Sequence, residues 1–312
     1  MRSTLIKMRT FCLFAVIFVS KCEVIEAKQQ TLVASSSVSS KDTESYVLTQ
    51  EVLDTLFDEA LRVDVARSLL DEAIAVNNDK PIRILAKPPS SGNSGASSVT
   101  PPVTIMINPN VRLPDGTPRT VENIKNKVLL TLIYELGNCA RAADHRRTNN
   151  CICTPPLCTG EVYADHILYG ESYGYLKRAS FFYEKKLGGV AAFQQMFNNK
   201  ANSELAYRLA TRSLTSLPMK PKEAIKILKA RGVPNREFVA AEVRVLVNLL
   251  NEHMDEELMR LIMFNSMKGH GRVRHILAVD HYKALHANFR FSHCKARCKP
   301  SGEATGHWHE CL

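Results

Sequence analysis

Apolar residues recur at three- and four-residue spacing along most of the chain from Val121 to about residue 290. This spacing places apolar side chains on one face of a helix, so it predicts a mainly helical architecture. Glycines and prolines divide the pattern into separate segments. The predicted helices cover about 124–143, 161–187, 190–198, 202–214, 221–232, 235–267 and 272–290.

Shorter patterns before Val121 add a β component. Apolar residues at helical spacing within 46–76 predict one or two amphipathic helices. Pro81–Ala86 and Val103–Asn108 are rich in isoleucine and valine and predict two short strands. The Ser-, Gly- and Pro-rich segment 88–102 between them predicts a flexible loop. The expected fold class is therefore α+β and mainly helical, with a small sheet packed on helices.

The N-terminus has the pattern of a secretory signal peptide. Arg2, Lys7 and Arg9 precede a run of nine apolar residues, 11–19, and Ala27 offers a small residue for cleavage. Nine residues are too few for a membrane-spanning helix, which needs about 20. We therefore expect a secreted protein cleaved near Ala27. Cleavage takes away four positive and two negative charges, so the net charge falls from +10 to +8.

Composition divides the remaining chain into four parts. The Ser-rich segment 28–44 lacks apolar periodicity and predicts a disordered leader. Residues 45–187 are predicted to form the α+β part, and 188–291 a helical part. Residues 292–312 form a basic tail rich in Cys and His.

Seven cysteines remain after the predicted cleavage. In an oxidising compartment this number favours three disulfides and one free thiol, with the connectivity left open. The disulfide candidates are Cys139, Cys151, Cys153, Cys158, Cys294, Cys298 and Cys311.

The C-terminal segment 265–312 is cationic. It holds seven of the ten His and eight Lys and Arg, against three acidic residues. This composition is compatible with a solvated tail, with contact to an anionic surface and with a Cys/His metal site. No phosphate-binding glycine motif occurs, and no specific nucleic-acid partner is expected.

One helix carries the main functional clue. Apolar Val128–Ile133 leads into Tyr134, Glu135, Leu136, Gly137 and Asn138. This segment resembles the active-site helix of zincin metallopeptidases, in which H-E-x-x-H supplies two zinc ligands and a general base. The resemblance implies a preceding edge strand, here Val103–Asn108, and a later helix with an acidic ligand. Candidates on that helix are Glu161, Asp165 and Glu171.

Both zinc-binding histidines of that motif are replaced in this chain. Tyr134 has an ordinary pKa near 10, and the amide oxygen of Asn138 suits zinc poorly. The sequence therefore predicts no metal and no cofactor, with Glu135 as the catalytic residue if any activity remains. Tyr134, Asn138, Glu161, Asp165 and Glu171 are then binding candidates.

Three functional hypotheses follow. The leading one is a secreted, non-enzymatic interaction protein, effector- or toxin-like, that binds a polypeptide on a catalytically dead scaffold. The second is an atypical hydrolase in which Glu135 acts with another carboxylate. The third is a basic protein that binds anionic surfaces through 265–312.

Overall fold

A computed structural model describes residues 46, 48–98, 102–143, 159–234, 237, 242–273 and 276–289. They belong to one compact unit, Thr43–Leu312. The predicted signal peptide, leader and basic tail lie outside the described residues, as do six of the seven disulfide candidates. Among the described residues, no helix has the length and apolar character to cross a membrane.

The described chain begins with two helices and a three-stranded sheet. Helix α1 covers Gln50–Ala60 and α2 covers Asp64–Val76, which confirms the helices predicted within 46–76. Strand β1 is Arg83–Ala86, β2 is Gly95–Ser97 and β3 is Thr104–Ile107, in the order β1-β3-β2. Strand β1 is parallel to β3, whereas β2 is antiparallel to it.

The position of the edge strand differs from the sequence expectation. The segment Val103–Asn108 forms the central strand, because its alternating buried residues Val103, Ile105 and Ile107 enter the core. The edge is β2, which lies inside the segment predicted to be a flexible loop. Its residues Gly-Ala-Ser have little β-propensity, so pairing with β3 creates this strand.

Two long helices form the centre of the molecule. Helix α3 covers Val121–Ala140 and α4 covers Gly160–Glu184. They cross at a pair of glycines, where a Cβ on Gly137 would lie 2.8 Å from Cα of Gly174. Larger side chains at this crossing would push the two helices apart.

Six more helices follow α4 in the described chain. They are α5 at Val190–Gln195, α6 at Lys200–Ala210, α7 at Pro221–Ala230, α8 at Val243–Glu252, α9 at Glu256–His270 and α10 at Ala278–Phe289. Of these, α6, α9 and α10 pack directly against α4. One hydrophobic core runs from the first helix to α10, so the two predicted parts 45–187 and 188–291 share it.

Two predicted helix boundaries were wrong. The single helix predicted over 235–267 contains a break, where Asp255 caps α9 by accepting a hydrogen bond from the backbone N–H of Leu258 at 2.7 Å. The helix predicted from 272 begins only at Ala278. Before it, β4 at Arg272–Val273 pairs with β5 at Ile276–Leu277.

Candidate functional site

The carboxylate of Glu135 lies beneath the edge strand. Glu135 is buried, with 5% of its surface exposed. Oε2 accepts a hydrogen bond from Ser97 Oγ at 2.9 Å and a longer one from Asn138 Nδ2 at 3.4 Å. Burial raises the pKa of Glu135 to about 7, and the two hydrogen bonds only partly oppose this effect. Near neutral pH, Glu135 is therefore able to hold or release a proton.

The close approach of β2 to α3 depends on Gly95. A Cβ at this position would lie 2.7 Å from Thr131 Cγ2 and 3.1 Å from Glu135 Cγ. The missing side chain thus lets the strand backbone rest directly on the helix. This contact brings Ser97 within hydrogen-bond distance of Glu135.

An open cleft of about 460 Å³ adjoins this contact. Glu135, Thr131 and Tyr134 from α3 line it, and Gly95 borders it at the start of β2. The segment that leads into β2, residues 92–94, continues the same wall. The cleft therefore lies at the start of β2 and is lined by Glu135.

Two cations from different helices line the cleft. Lys127 Nζ lies 4.5 Å from the ring centroid of Phe197, and Arg178 Cζ lies 3.9 Å from the same centroid. Arg178 Cζ is also 3.8 Å from the ring centroid of Tyr175. Burial and the positive charge of Arg178 lower the pKa of Lys127 to about 7. Aromatic faces thus hold both cations in place.

A second, half-buried carboxyl group lies on α4. Glu171 accepts a short hydrogen bond from the Tyr282 hydroxyl of α10. Burial raises the pKa of Glu171 to about 7, and its negative charge contributes to the raised pKa of Glu135. Tyr134 is electrostatically coupled to both carboxyl groups. The structure therefore brings four predicted site residues, Tyr134, Glu135, Asn138 and Glu171, into one polar cluster.

None of the three acidic candidates on α4 is among the residues that line the cleft, and two of them are on the surface. Glu161 is at the first turn of α4, its side chain is 74% exposed, and it pairs with Lys283 at 3.0 Å. Asp165 pairs with Lys268 at 2.7 Å. Glu161 and Asp165 therefore bind α10 and α9 at the surface and do not join the cluster around Glu135.

Cys139 is a free, buried thiol, so no disulfide through this residue is part of the structure. Burial raises the pKa of Cys139 to about 12, which leaves the thiol protonated and unreactive at neutral pH. Within the described residues, no three His, Cys, Asp or Glu side chains converge as metal ligands.

The sequence analysis missed Ser97, Lys127, Tyr175 and Arg178. A signal for two of them exists, because Lys127, Thr131 and Glu135 follow each other every four residues and form a polar stripe on an apolar helix. Similarly, Arg178 lies seven residues after Glu171 and shares its face of α4. Ser97 gave no such signal.

Part of the predicted anionic-surface segment is packed into the fold. His286 is buried and lies beside Tyr163, with ring centroids 5.4 Å apart. Lys268 and Lys283 form the ion pairs with α4. These three residues are consequently not freely available to an external anionic surface.

Comparison with known protein families, with curated proteins and with solved structures finds no match to this chain.

Proposed function

We propose that this chain is an exported, non-enzymatic protein that binds an extended polypeptide segment along β2. The observation that carries this proposal is the outer edge of β2, which begins at the cleft and pairs with no other strand among the described residues. Ser98 donates to Thr104 O at 2.9 Å, and Asn108 donates to Ser94 O at 2.9 Å. In an antiparallel pair, every second residue directs its N–H and C=O groups toward the partner strand. Because Ser94 and Ser98 bond to β3, the N–H and C=O groups of Gly95 and Ser97 are directed away from β3.

No other strand of the described part pairs with that edge of β2. An extended peptide can add to such an edge through main-chain hydrogen bonds, while adjacent pockets select its side chains. The cleft beside Gly95 offers a pocket of this kind. A zincin-like scaffold without zinc ligands fits the same proposal, because the resemblance implies a peptide cleft beside an edge strand.

The test uses 12-residue peptides selected from a random display library on the protein without its predicted signal peptide. Ser97→Pro removes the outward N–H, a place where edge strands tolerate proline, and Ser97→Ala is the matched control. Both variants lose the hydroxyl that contacts Glu135, but only proline loses the N–H. We expect Ser97→Pro to bind about tenfold more weakly than Ser97→Ala, the effect of one backbone hydrogen bond.

Amide hydrogen exchange gives a direct second measurement. Bound peptide should slow exchange at Gly95 and Ser97, because their N–H groups become donors to the peptide. Circular dichroism confirms that both variants remain folded. Selected peptides that bind without protecting these two amides would contradict binding along β2.

Acid–base hydrolysis is a second candidate, favoured by the pKa of Glu135 near 7. The pKa of Glu171 is also near 7, so burial does not separate the two groups into a distinct acid and base. For that reason we rank binding above catalysis. Cleavage of a selected peptide by the wild type, abolished in Glu135→Gln, would establish the hydrolase instead.

A further inference from the structure

Arg178 is a buried cation that forms no ion pair among the described residues, although its positive charge partly opposes the rise that burial causes in the pKa of Glu135 and of Glu171. Its side chain is 7% exposed and lines the cleft. Its Nε is fully buried and has no hydrogen-bond partner. Among the described residues, no carboxylate forms an ion pair with Arg178 or with Lys127. A desolvated guanidinium needs compensating interactions. Aromatic rings and the more distant charges of Glu135 and Glu171 supply part of them. Neither carboxylate lies within ion-pair distance, so an anion bound in the cleft would complete this site.

The geometry points to a carboxylate-binding subsite in the cleft, formed by Arg178 and Lys127. The guanidinium presents a planar fork of N–H donors that matches both oxygens of a carboxylate. Lys127 Nζ donates to Met196 O at 2.8 Å and keeps further N–H groups for a ligand. This inference rests on the proposed function, because it names the group that the bound peptide would present there.

The aromatic side chains around Arg178 support this assignment. Tyr175 and Phe197 lie against the guanidinium at 3.8 and 3.9 Å, and Tyr134 lies at 5.1 Å from Cζ to ring centroid. This packing fixes the cation before a ligand arrives, which lowers the entropy lost on binding. An aromatic face attracts the cation but supplies no oxygen acceptor in the plane of its N–H groups. The fork therefore retains donors for an anion.

The carboxylate has two sources in a polypeptide, the chain terminus and an acidic side chain. The probes are one selected peptide in four forms: free or amidated at its C-terminus, and with its acidic residues kept or replaced by Gln and Asn. N-acetylglycine and N-acetylglycinamide serve as small probes that do not require pairing with β2. Affinities are measured at constant ionic strength by fluorescence polarisation and, for the small probes, by competition and thermal shift.

The expected result is that at least one carboxylate form binds about 10- to 100-fold more tightly than the fully neutral peptide. Arg178→Met should remove this difference, and Arg178→Lys, which keeps the charge but loses the fork, should remove most of it. Arg112→Met is the matched control, because Arg112 is an exposed cation that lines the same cleft. It should change the preference by no more than about threefold, since exposed charges are screened.

The outcomes separate this inference from the proposed function. Equal affinity of the neutral and anionic peptides for the wild type would overturn the carboxylate subsite and leave peptide binding intact. Failure of every peptide, together with Arg178-dependent binding of N-acetylglycine over its amide, would overturn the proposed function and retain the subsite. If Arg178→Met does not fold, Arg178→Lys becomes the deciding variant. An undiminished preference of folded Arg178→Lys for the carboxylate form would overturn binding of the carboxylate by the guanidinium.

Discussion

Replacing Glu135 with Gln should stabilise the protein in alkaline solution but not in acid. The pKa of this group is about 7 in the native state, against an ordinary value of 4.5. Between these two pH values, the native state holds a proton that the unfolded chain has released, so wild-type stability falls as pH rises through this window. Each pKa unit corresponds to about 1.4 kcal/mol, so the full loss above pH 7 is about 3 kcal/mol.

The Gln variant lacks this loss because its amide does not ionise. Any change in packing or hydrogen bonding with Ser97 adds an offset that is the same at every pH. The measured quantity is therefore the difference in the free energy of unfolding between Glu135→Gln and wild type, taken at pH 4.5 and at pH 8.5. Relative to wild type, we expect the free energy of unfolding of Glu135→Gln to be about 3 kcal/mol higher at pH 8.5 than at pH 4.5.

Urea unfolding followed by circular dichroism at 222 nm measures this free energy. Glu161→Gln is the matched control, since Glu161 is on the surface and its replacement should leave the pH dependence nearly unchanged. A difference between Glu135→Gln and wild type that is the same at both pH values would refute the argument that Glu135 is ionised against a desolvation penalty. A stability cost of this size is typical of functional sites, where a group is retained for its chemistry.

Three further predictions follow from individual contacts and from the N-terminus. Lys127→Met should stabilise the protein most below pH 7 and lose this advantage by about pH 10.5, because the lowered pKa of Lys127 makes wild-type stability rise with pH over that interval. Urea unfolding at pH 6 and pH 10 tests this prediction, and a larger gain in stability at pH 10 would contradict it. Gly95→Ala should destabilise the protein by about 1–3 kcal/mol, because the added Cβ clashes with Thr131. In a double-mutant cycle, Thr131→Ser should restore part of this stability, whereas additive losses would show that the clash lies elsewhere. Mass spectrometry of the exported protein should find its N-terminus within a few residues of Lys28, whereas retention of Met1 would exclude the predicted cleavage.

Local sequence patterns predicted most of the helices because each pattern lies within one element. The apolar stripe of α3 indicated its position to within a few residues, and the helix predicted over 161–187 corresponds closely to α4 at Gly160–Glu184. The same reasoning failed at Asp255, where a capping residue interrupts an otherwise continuous pattern. It failed again at β2, whose small residues form a strand only against β3.

The sequence by itself determined the mainly helical α+β class and drew attention to Glu135 through the resemblance to the zincin helix, because periodicity and short motifs are local properties. Only the tertiary structure decided which groups surround that carboxylate. Ser97 reaches it across 38 positions, and Tyr282 reaches Glu171 across 111 positions. Arg178 joins Lys127 at the cleft only because α3 and α4 cross at their glycines. These contacts depend on packing between segments that are far apart in the sequence, so the spacing of residues along the chain does not predict them.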